Sequence, residues 1–414
     1  MTNIRDQFPI FKNQPELVYL DTAATSLKPQ RVIDAEMEYY QKYSANVGRG
    51  LCQMAAKATE EYEKVREIVA KFIGSTIANE VVFTHGTTEG INLIANGWGG
   101  NNLETGDEII LTEVEHHANL LPWIRLAKNK GLVIKYVPVD EQTMELKWDQ
   151  LGSLITTKTK LISFTHVSNV TGLTNDVETI AKTVKKLNKE VMVVVDGAQA
   201  VGHLKIEAEK WGVDFYVFSG HKMYGPTGVG VVWGRMNRWL QTQPIILGGG
   251  AVEDSNYDSY QLRDPPQGFE AGTPAIAQVI GLGEAIGFVE NVGRETIDKS
   301  EKEVIIYAFE KLSNIDGIKI IGNRNSRVIT FTVEGVHPHD LADFMGMRGI
   351  CVRAGHHCVI PLHKKLGIVA TTRVSFGIYS SKEDVDKAIM AITDLRGIYD
   401  EDRKIISGLT NNGR

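Results

Sequence analysis

The sequence predicts an α/β protein with a mostly parallel sheet covered by helices on both faces, followed by a smaller α+β domain. Two patterns lead to this expectation. From residue 81 to residue 218, apolar runs of strand length alternate with turns and helical patterns, as in chains that form parallel sheets. Beyond residue 292 the strand patterns come in pairs that suit antiparallel pairing. A chain of 414 residues is long enough for both units.

The order of the elements follows from apolar spacing and turn residues. A short strand at 17–21 precedes helical patterns at 29–43 and 55–73. The glycine-rich stretch 248–272 is long for a loop, so it is treated as a lid or an interface segment. The predicted strands lie at 81–84, 108–112, 133–137, 161–165, 192–195 and 215–218 in the sheet, and at 318–321, 328–333, 350–353 and 372–376 in the smaller domain.

A domain boundary is expected near the end of a long helix at about 275–292. We therefore expect an N-terminal segment, 1–16, packed on the small domain, a large domain at 17–292 and a small C-terminal domain at 293–414.

The composition excludes several classes of function. The formal net charge of −6 disfavours nucleic acid as the main partner, because a binding groove needs a basic field. The sequence contains no long apolar span and no signal peptide pattern, so we expect a cytoplasmic protein without a membrane partner. Its three cysteines form no C-x-x-C pair, which makes structural disulfides and a cysteine-based zinc site improbable.

The stretch from Val213 to Gly230 delivers a lysine to the end of a predicted strand. An apolar run ends in Ser219 and Gly220, and His221 and Lys222 follow directly. A lysine that is partly desolvated and close to other cationic groups is a usable nucleophile for Schiff-base chemistry. An ordinary surface lysine after a core strand is the alternative, and the lysine alone does not decide between them.

Other polar residues also follow the predicted strands, and the carboxyl ends of parallel strands are where such sheets bind ligands. These side chains should therefore converge with Lys222. They are Thr87, Thr88, His116, His117, Asn169, Asp196, Gln199, Ser219 and His221.

Some of these residues also have an alternative interpretation. The pair Thr87 and Thr88 suits either a helix N-cap or a phosphate site, and Asp196 suits either a helix cap or a carboxylate facing a pyridine nitrogen. For His116 and His117, stacking of one ring on an aromatic cofactor fits better than metal binding. Adjacent residues on a strand point to opposite faces, and no third ligand is apparent.

Cys358 has the surroundings of a reactive thiol, with Arg353 and two histidines close in sequence. Cys351 lies within a predicted strand and is interpreted as an inert core thiol. Cys52 is interpreted as a packed small residue, with a second reactive thiol as the alternative.

Several motifs together resemble a known family. Gly86-Thr-Thr-Glu-Gly90, Asp196-Gly-Ala-Gln199 and Ser219-Gly-His-Lys222 are similar to the fold-type I, class V aminotransferase-like enzymes that use pyridoxal 5'-phosphate (PLP). Four further motifs are similar, within that family, to the group II cysteine desulfurases of the SufS and CsdA type. They are Glu115-His-His-Ala-Asn119, Thr165-His-Val-Ser-Asn169, Phe269-Glu-Ala-Gly-Thr-Pro274 and Arg353-Ala-Gly-His-His-Cys358. The resemblance spans nearly the whole chain and implies a seven-stranded sheet in the large domain.

The resemblance also implies roles for individual residues. Lys222 would form the Schiff base with PLP and later shuttle protons, and Cys358 would accept sulfur from L-cysteine as a persulfide and release alanine. Around the cofactor, Asp196 would face the ring nitrogen, Gln199 would contact the ring oxygen and His116 would stack on the ring face. The phosphate would be bound by Thr87, Thr88, Ser219, His221 and Thr273, and Thr273 would come from a second subunit. The substrate would be bound by Arg373, Arg353, Asn169 and Arg49.

One departure from the family pattern is visible. The family commonly has histidine at the positions of Gly48 and Cys52, whereas Arg49 between them is retained. The change removes two imidazoles from a segment expected at the mouth of the site.

The function expected from the resemblance is that of a homodimeric, PLP-dependent L-cysteine desulfurase. Its partner would be a sulfur acceptor of the SufE or SufU type, or a scaffold for iron–sulfur cluster assembly. A selenocysteine lyase, a C–S β-lyase and an aminotransferase of the same fold are the enzymatic alternatives, and a non-catalytic scaffold or sulfur carrier is the remaining one. No metal site is expected.

Overall fold

The computed structural model describes residues 4–48 and 50–411, with side chains as far as residue 399. Its strands are β1 Val18–Tyr19, β2 Val81–Thr84, β3 Glu108–Thr112, β4 Val133–Val137, β5 Thr159–Thr165, β6 Met192–Asp196, β7 Phe215–Ser219, β8 Gly230–Gly234, β9 Val252–Ser255, β10 Tyr260–Leu262, β11 Ile318–Ile321, β12 Val328–Val333, β13 Ile350–Cys351, β14 Arg353–Gly355 and β15 Thr371–Ser375.

The helices alternate with the strands in the first two thirds of the chain. They are α1 Pro9–Asn13, α2 Gln30–Lys42, α3 Gln53–Phe72, α4 Thr87–Leu93, α5 Gly100–Asn102, α6 Leu121–Lys130, α7 Leu151–Leu154, α8 Val177–Leu187, α9 Ala208–Trp211, α10 Met236–Trp239, α11 Ile276–Val292, α12 Arg294–Ser313, α13 Pro338–Gly346, α14 Ile360–Lys365 and α15 Lys382–Asn411.

The large sheet has seven strands in the order β2-β8-β7-β6-β5-β3-β4. Six of them run in one direction, and only β8 is antiparallel to its two neighbours. The prediction of a mostly parallel seven-stranded sheet is therefore confirmed. One of its strands, β8 at Gly230–Gly234, is not among the strands predicted from the apolar runs.

Both faces of this sheet are covered. Along β6, Val193 and Val195 pack in one core with helices α3, α8 and α11, whereas Met192 and Val194 pack in a second core with α6. Successive side chains of a strand point to opposite faces, so an apolar run without alternation requires this two-sided burial. Each fully buried valine contributes roughly 1.5–3 kcal/mol relative to an exposed one.

The C-terminal part forms an antiparallel sheet of four strands in the order β11-β12-β15-β14, packed against α12, α13 and α15. The predicted strand 350–353 is divided. Ile350–Cys351 pairs with β1, and Arg353–Gly355 pairs with β15 in the four-stranded sheet.

The strand predicted at 17–21 does not belong to the large sheet. Val18 pairs with Ile350 in parallel, and Asp21 forms a bridge with Ser375. Val18 and Leu20 are buried in the core of the C-terminal sheet. We therefore propose that the N-terminal segment packed on the small domain extends to Asp21, five residues beyond the boundary expected from the sequence.

The glycine-rich stretch 248–272 contains a hairpin of β9 and β10 whose residues are largely exposed. Within the part of the chain that the structure describes, no helix is long and apolar enough to cross a membrane.

Candidate active site

A cavity of about 220 Å³ lies at the carboxyl ends of β2, β5, β6 and β7. It contains most of the side chains that the sequence placed together. Its lining residues are Ala24, Thr87, Thr88, His116, Ala118, Thr165, Val167, Asn169, Asp196, Ala198, Gln199, Ser219, His221, Lys222, Arg353 and Cys358. Four predicted residues are not among them: His117, Arg373 and Thr273 do not line the cavity, and Arg49 lies outside the described residues.

Lys222 ends a short 3-10 turn, Gly220–Lys222, that follows β7 directly. The turn is tight: a Cβ on Gly225 would lie 2.9 Å from the carbonyl oxygen of Gly220, so the backbone can pass there only without side chains. Burial lowers the pKa of Lys222 to about 8, Asp196 opposes this shift, and the guanidinium groups of Arg373 and Arg353 add to it. The side chain is therefore an amine that loses its proton close to neutral pH.

Asp196 ends β6 and is buried beside Lys222. Its Oδ1 accepts a hydrogen bond of 2.9 Å from the backbone N–H of Ala198. Burial raises the pKa of Asp196, while the Ala198 N–H and the charge of Lys222 lower it. The helix cap that the sequence offered as an alternative is absent, because turns and not a helix follow Asp196; its carboxylate closes a local turn and lines the cavity.

A narrow backbone cradle lies at the start of α4. Thr87 donates its backbone N–H to Ser219 Oγ at 2.8 Å, and their two hydroxyl oxygens are also 2.8 Å apart. Gly86 has φ of +157°, and a Cβ on Gly230 would come within 2.4 Å of the Gly86 Cα. β8 can approach the start of α4 this closely only because residue 230 has no side chain, and the hydroxyls of Thr87 and Ser219 line the cavity there.

His116 begins a 3-10 turn and does not lie on a strand, so the argument from opposite strand faces was wrong. Its Nδ1 accepts a hydrogen bond from the Ala118 N–H at 3.1 Å, which leaves the proton on Nε2. Burial and then the charge of Lys222 lower the pKa of His116 to about 3, so the ring is neutral. Among the described residues, no group of three or more histidine, cysteine or acidic side chains could hold a metal ion.

The amides of Asn169 and Gln199 line the cavity and also bind the backbone of neighbouring segments. Gln199 Nε2 donates to the carbonyl of Ala23 at 2.8 Å, and Asn169 Nδ2 donates to the carbonyl of His357 at 2.7 Å. The second bond ties the large sheet to the loop that carries Cys358.

Arg373 lies directly behind the cavity on β15, with a side chain only 1% exposed. Its Nη1 donates to the carbonyl of Asn169 at 3.1 Å, and its Nη2 donates to Asp21 Oδ1 at 3.0 Å. Its Nε is buried and has no hydrogen-bond partner. A buried guanidinium N–H without an acceptor is a donor available to an anionic ligand.

The structure adds two residues that the sequence analysis did not select. Asp21 is the counter-charge of Arg373, and burial raises its pKa against the opposing effect of that arginine. Glu115 is buried next to His116 and accepts hydrogen bonds from Thr112 Oγ1, Asn119 Nδ2 and the Thr165 N–H. Asp21 acts through a partner 352 positions away, and Glu115 combines two local partners with Thr165, which is 50 positions away.

Cys358 lies on the loop between β14 and α14, and its Sγ is 3.9 Å from Arg353 Nη2. Both His357 and Cys358 have left-handed backbone conformations, with φ of +50° and +61°. Cys351 is half-buried on β13, and burial raises the pKa of its thiol. Cys351 is therefore not the core thiol that the sequence predicted, and the two cysteines differ in their neighbours and not in their exposure.

Thr273 lines a separate, open groove of about 880 Å³. Its Oγ1 accepts a hydrogen bond from Asn46 Nδ2 at 3.3 Å. Cys52 lines the same groove and is exposed, so its interpretation as a packed residue was wrong. Gly48, with φ of +84°, has open space where a side chain would be.

The residues around the cavity fit PLP. The cavity offers an amine of lowered pKa in Lys222, a buried carboxylate in Asp196 and a neutral imidazole in His116. The cradle of Gly86, Thr87 and Ser219, with two hydroxyl groups at the cavity wall, is of the type that binds phosphate groups.

The fold and this set of side chains define a member of a known family. The chain belongs to the class-V aminotransferase family, whose profile matches residues 18–388. Its curated relatives include the probable cysteine desulfurases of Staphylococcus aureus (strain Mu50) and Staphylococcus epidermidis (strain ATCC 12228). Each is 44% identical over 399 residues, which cover 95% of this chain and 96% of the relative.

Solved structures agree with this relationship. The cysteine desulfurase CsdA of Escherichia coli, in its S-sulfonic acid form, superposes with a TM-score of 0.89 and 34% identity, over 95% of this chain and 98% of that one. The apo cysteine desulfurase of Thermococcus onnurineus NA1 has a TM-score of 0.89 and 40% identity, over 95% and 97%. The family resemblance and the fold class predicted from the sequence are confirmed.

Proposed function

We propose that this protein is a PLP-dependent L-cysteine desulfurase that converts L-cysteine to L-alanine and keeps the sulfur as a persulfide on Cys358. The observation that supports it best is the presence of a cysteine thiol in one cavity with Lys222 and Asp196. A thiol beside a reactive amine and a buried carboxylate is a specific combination, whereas each of these groups alone is common. The curated relatives named as cysteine desulfurases support the same assignment.

Four groups would hold and orient the cofactor. Lys222 would supply the amine, Asp196 would pair with the ring nitrogen, Gln199 would contact the ring oxygen and His116 would cover one ring face. When bound, PLP acts as an electron sink for bonds broken at the substrate. The pKa of about 8 allows Lys222 to give up and take back a proton near neutral pH, which suits a proton shuttle.

The phosphate would be bound by the cradle at the start of α4. Hydroxyls and backbone N–H groups are available from Thr87, Thr88 and Ser219, and His221 contributes a neutral imidazole because burial lowers its pKa to about 4. Donors fixed in this way bind an anion without having to reorganise.

The substrate carboxylate would bind Arg373, whose unpaired Nε leaves a donor free. Arg353 and Asn169 line the same cavity and would contact the substrate on either side. Arg49 is kept as a fourth substrate-binding residue on the strength of the motif alone. A guanidinium group suits the task because two of its N–H donors match the two oxygens of a carboxylate.

Sulfur transfer would then take place at Cys358. Its thiolate attacks the sulfur of the bound substrate, an S–S bond forms, and the substrate's C–S bond breaks with its electron pair passing to the substrate and cofactor. Protonation of that carbon gives alanine, so L-cysteine and one thiol become L-alanine and one persulfide. The nearby Arg353 guanidinium, 3.9 Å from Sγ, stabilises the anionic sulfur.

A homodimer is part of the proposal, with Thr273 reaching the phosphate of the partner subunit. Thr273 lies in a groove separate from the cavity of its own subunit. Large exposed apolar side chains occur in the segments on both sides of this groove, namely Leu51, Met54, Ile246 and Leu247. Such a surface is expected to be covered by another protein chain.

We further propose that the persulfide is passed to an acceptor protein of the SufE or SufU type, or to a cluster-assembly scaffold, in the cytoplasm. The half-buried position of Cys358 at a surface loop supports transfer to a partner.

Product analysis tests the assignment. Wild-type protein and Cys358→Ser are incubated with L-cysteine, PLP and a reductant, and alanine and pyruvate are quantified. We expect alanine and sulfide from the wild type and at least a hundredfold less alanine from the variant. Pyruvate from both would contradict the proposal and would indicate a C–S β-lyase, and failure of purified protein to bind PLP would indicate a non-catalytic chain. Repeating the assay with selenocysteine determines the preferred substrate.

A further inference from the structure

We propose that His117 is a positioning residue that fixes Cys358 relative to His116 and thereby to the reacting atoms. The inference rests on the proposed function, because the exact place of Cys358 affects a rate only if its sulfur reacts. No role follows for His117 from the motif, and its ring does not line the cavity.

His117 holds the backbone at Cys358 and just after it. Its own N–H donates to the carbonyl of Cys358 at 2.9 Å, and its ring Nε2 faces the N–H of Ile360 at 3.3 Å. Because the Ile360 N–H is a donor, Nε2 must be the acceptor, so the ring is neutral with its proton on Nδ1. Ile360 is the first residue of α14, where a backbone N–H has no acceptor within its helix.

The loop needs such a restraint because its backbone is in an unfavourable conformation. His357 and Cys358 are consecutive non-glycine residues with positive φ. Conformations of this kind persist only where the surrounding structure enforces them. Two further bonds help: Asn169 Nδ2 donates to the carbonyl of His357, and the N–H of Val359 donates to the carbonyl of His356.

The turn that carries His117 is itself held in place by hydrogen bonds of Asn119. Asn119 Nδ2 donates to Glu115 Oε2 at 2.6 Å, and its Oδ1 accepts hydrogen bonds from Trp123 Nε1 and Ser163 Oγ at 3.1 and 2.6 Å. These partners are buried, so the turn is a rigid base. One of its histidines lines the cavity, and the next one holds the loop of Cys358.

Two variants separate the hydrogen bond from the bulk of the ring. His117→Phe keeps an aromatic ring but removes the acceptor, whereas His117→Gln places an amide oxygen where Nε2 lies. At saturating L-cysteine we expect the phenylalanine variant to lower kcat by roughly tenfold to a hundredfold, since displacing a reacting group by about 1 Å has effects of this size. KM should change little, because the substrate carboxylate binds Arg373, and the glutamine variant should retain most of the activity.

A second readout does not depend on turnover. Hydrogen–deuterium exchange of peptides covering 353–362 should be faster in His117→Phe than in the wild type and normal in His117→Gln, while peptides covering β6 remain unchanged in both. An unchanged exchange rate, an unchanged kcat or a loss of protection throughout the protein in the phenylalanine variant would each overturn the inference. If the wild type forms no alanine, the proposed function fails, and the exchange experiment still decides whether His117 restrains the loop.

Discussion

Replacing Lys222 with methionine should stabilise the cofactor-free protein. The ammonium group lines the cavity and is largely withdrawn from bulk solvent, and it makes no hydrogen bond to a described residue. Arg373 and Arg353 add repulsion, and Asp196 is the main group that compensates for it. An enzyme keeps such a group because the reaction requires it, and the cost to folding is expected to disappear when the amine is replaced by an apolar side chain of similar length.

The size of the effect follows from the pKa. Folding lowers the pKa of Lys222 to about 8 from about 10.4 in an unfolded chain, which corresponds to about 3 kcal/mol at most. Below pH 8 both states hold the proton and the whole cost is present. Between pH 8 and about 10.4 the unfolded chain binds more protons than the folded protein, so the stability of the wild type rises with pH in this window. The advantage of the variant should therefore be largest below pH 8 and shrink above it.

Urea unfolding of cofactor-free protein, followed by circular dichroism at pH 7 and pH 10 and at one protein concentration, measures this difference. Lys182→Met is the matched control, because Lys182 is an exposed lysine paired with Glu178 on α8. We expect it to change the free energy of unfolding by less than about 0.5 kcal/mol at either pH. A Lys222→Met protein that is no more stable than the wild type at pH 7, or whose advantage does not shrink at pH 10, would refute the reasoning.

Three further outcomes are expected. Glu270→Ala should lower the free energy of unfolding by about 3–5 kcal/mol, because it leaves the buried guanidinium of Arg66 without its principal partner. The control Glu284→Ala removes a half-exposed ion pair and should lower it by less than about 1 kcal/mol. Equal effects of the two variants in thermal or urea unfolding would contradict this. Arg373→Lys should raise KM for L-cysteine by about tenfold or more with a smaller effect on kcat, since lysine keeps the charge but lacks the planar pair of donors; steady-state kinetics that show an unchanged KM would remove Arg373 from the carboxylate site. Cys52→Ala should leave alanine formation unchanged, and a loss comparable to that of the Cys358 variant would make Cys52 a second reactive thiol.

The sequence was sufficient for those parts of the fold that rest on local patterns. Strands such as β6 are continuous apolar runs, and each is followed by a polar residue at the edge where ligands bind. It failed where a segment pairs with distant partners. β1 is a short apolar run like the others, and only its pairing with Ile350 assigns it to the small domain. β8 was missed because its flanking glycines, which its neighbours require for close approach, are also the signal of a loop.

The same distinction applies to the site. Asp196 ends a strand of the large sheet and Lys222 follows the next one, so the alternation of strand and helix was enough to predict that they converge. Cys358 follows a strand of the small sheet, and only the family resemblance placed it at the same site. Asp21 could not be found in this way, because it reaches Arg373 across 352 positions of the sequence. The interactions of His117 are almost as remote in sequence, since its partner Ile360 lies 243 positions further along the chain.

The charges around Lys222 connect substrate binding to proton transfer. Arg373 lowers the pKa of Lys222 because both groups are cationic and lie close together. A substrate carboxylate on Arg373 offsets that positive charge, so the pKa of the lysine should rise when the substrate is in place. Lys222 then becomes a better proton acceptor at the moment when the proposed reaction needs one. By the same argument, a ligand without a carboxylate, such as cysteamine, leaves Arg373 uncompensated and should react more slowly than L-cysteine even at saturating concentration.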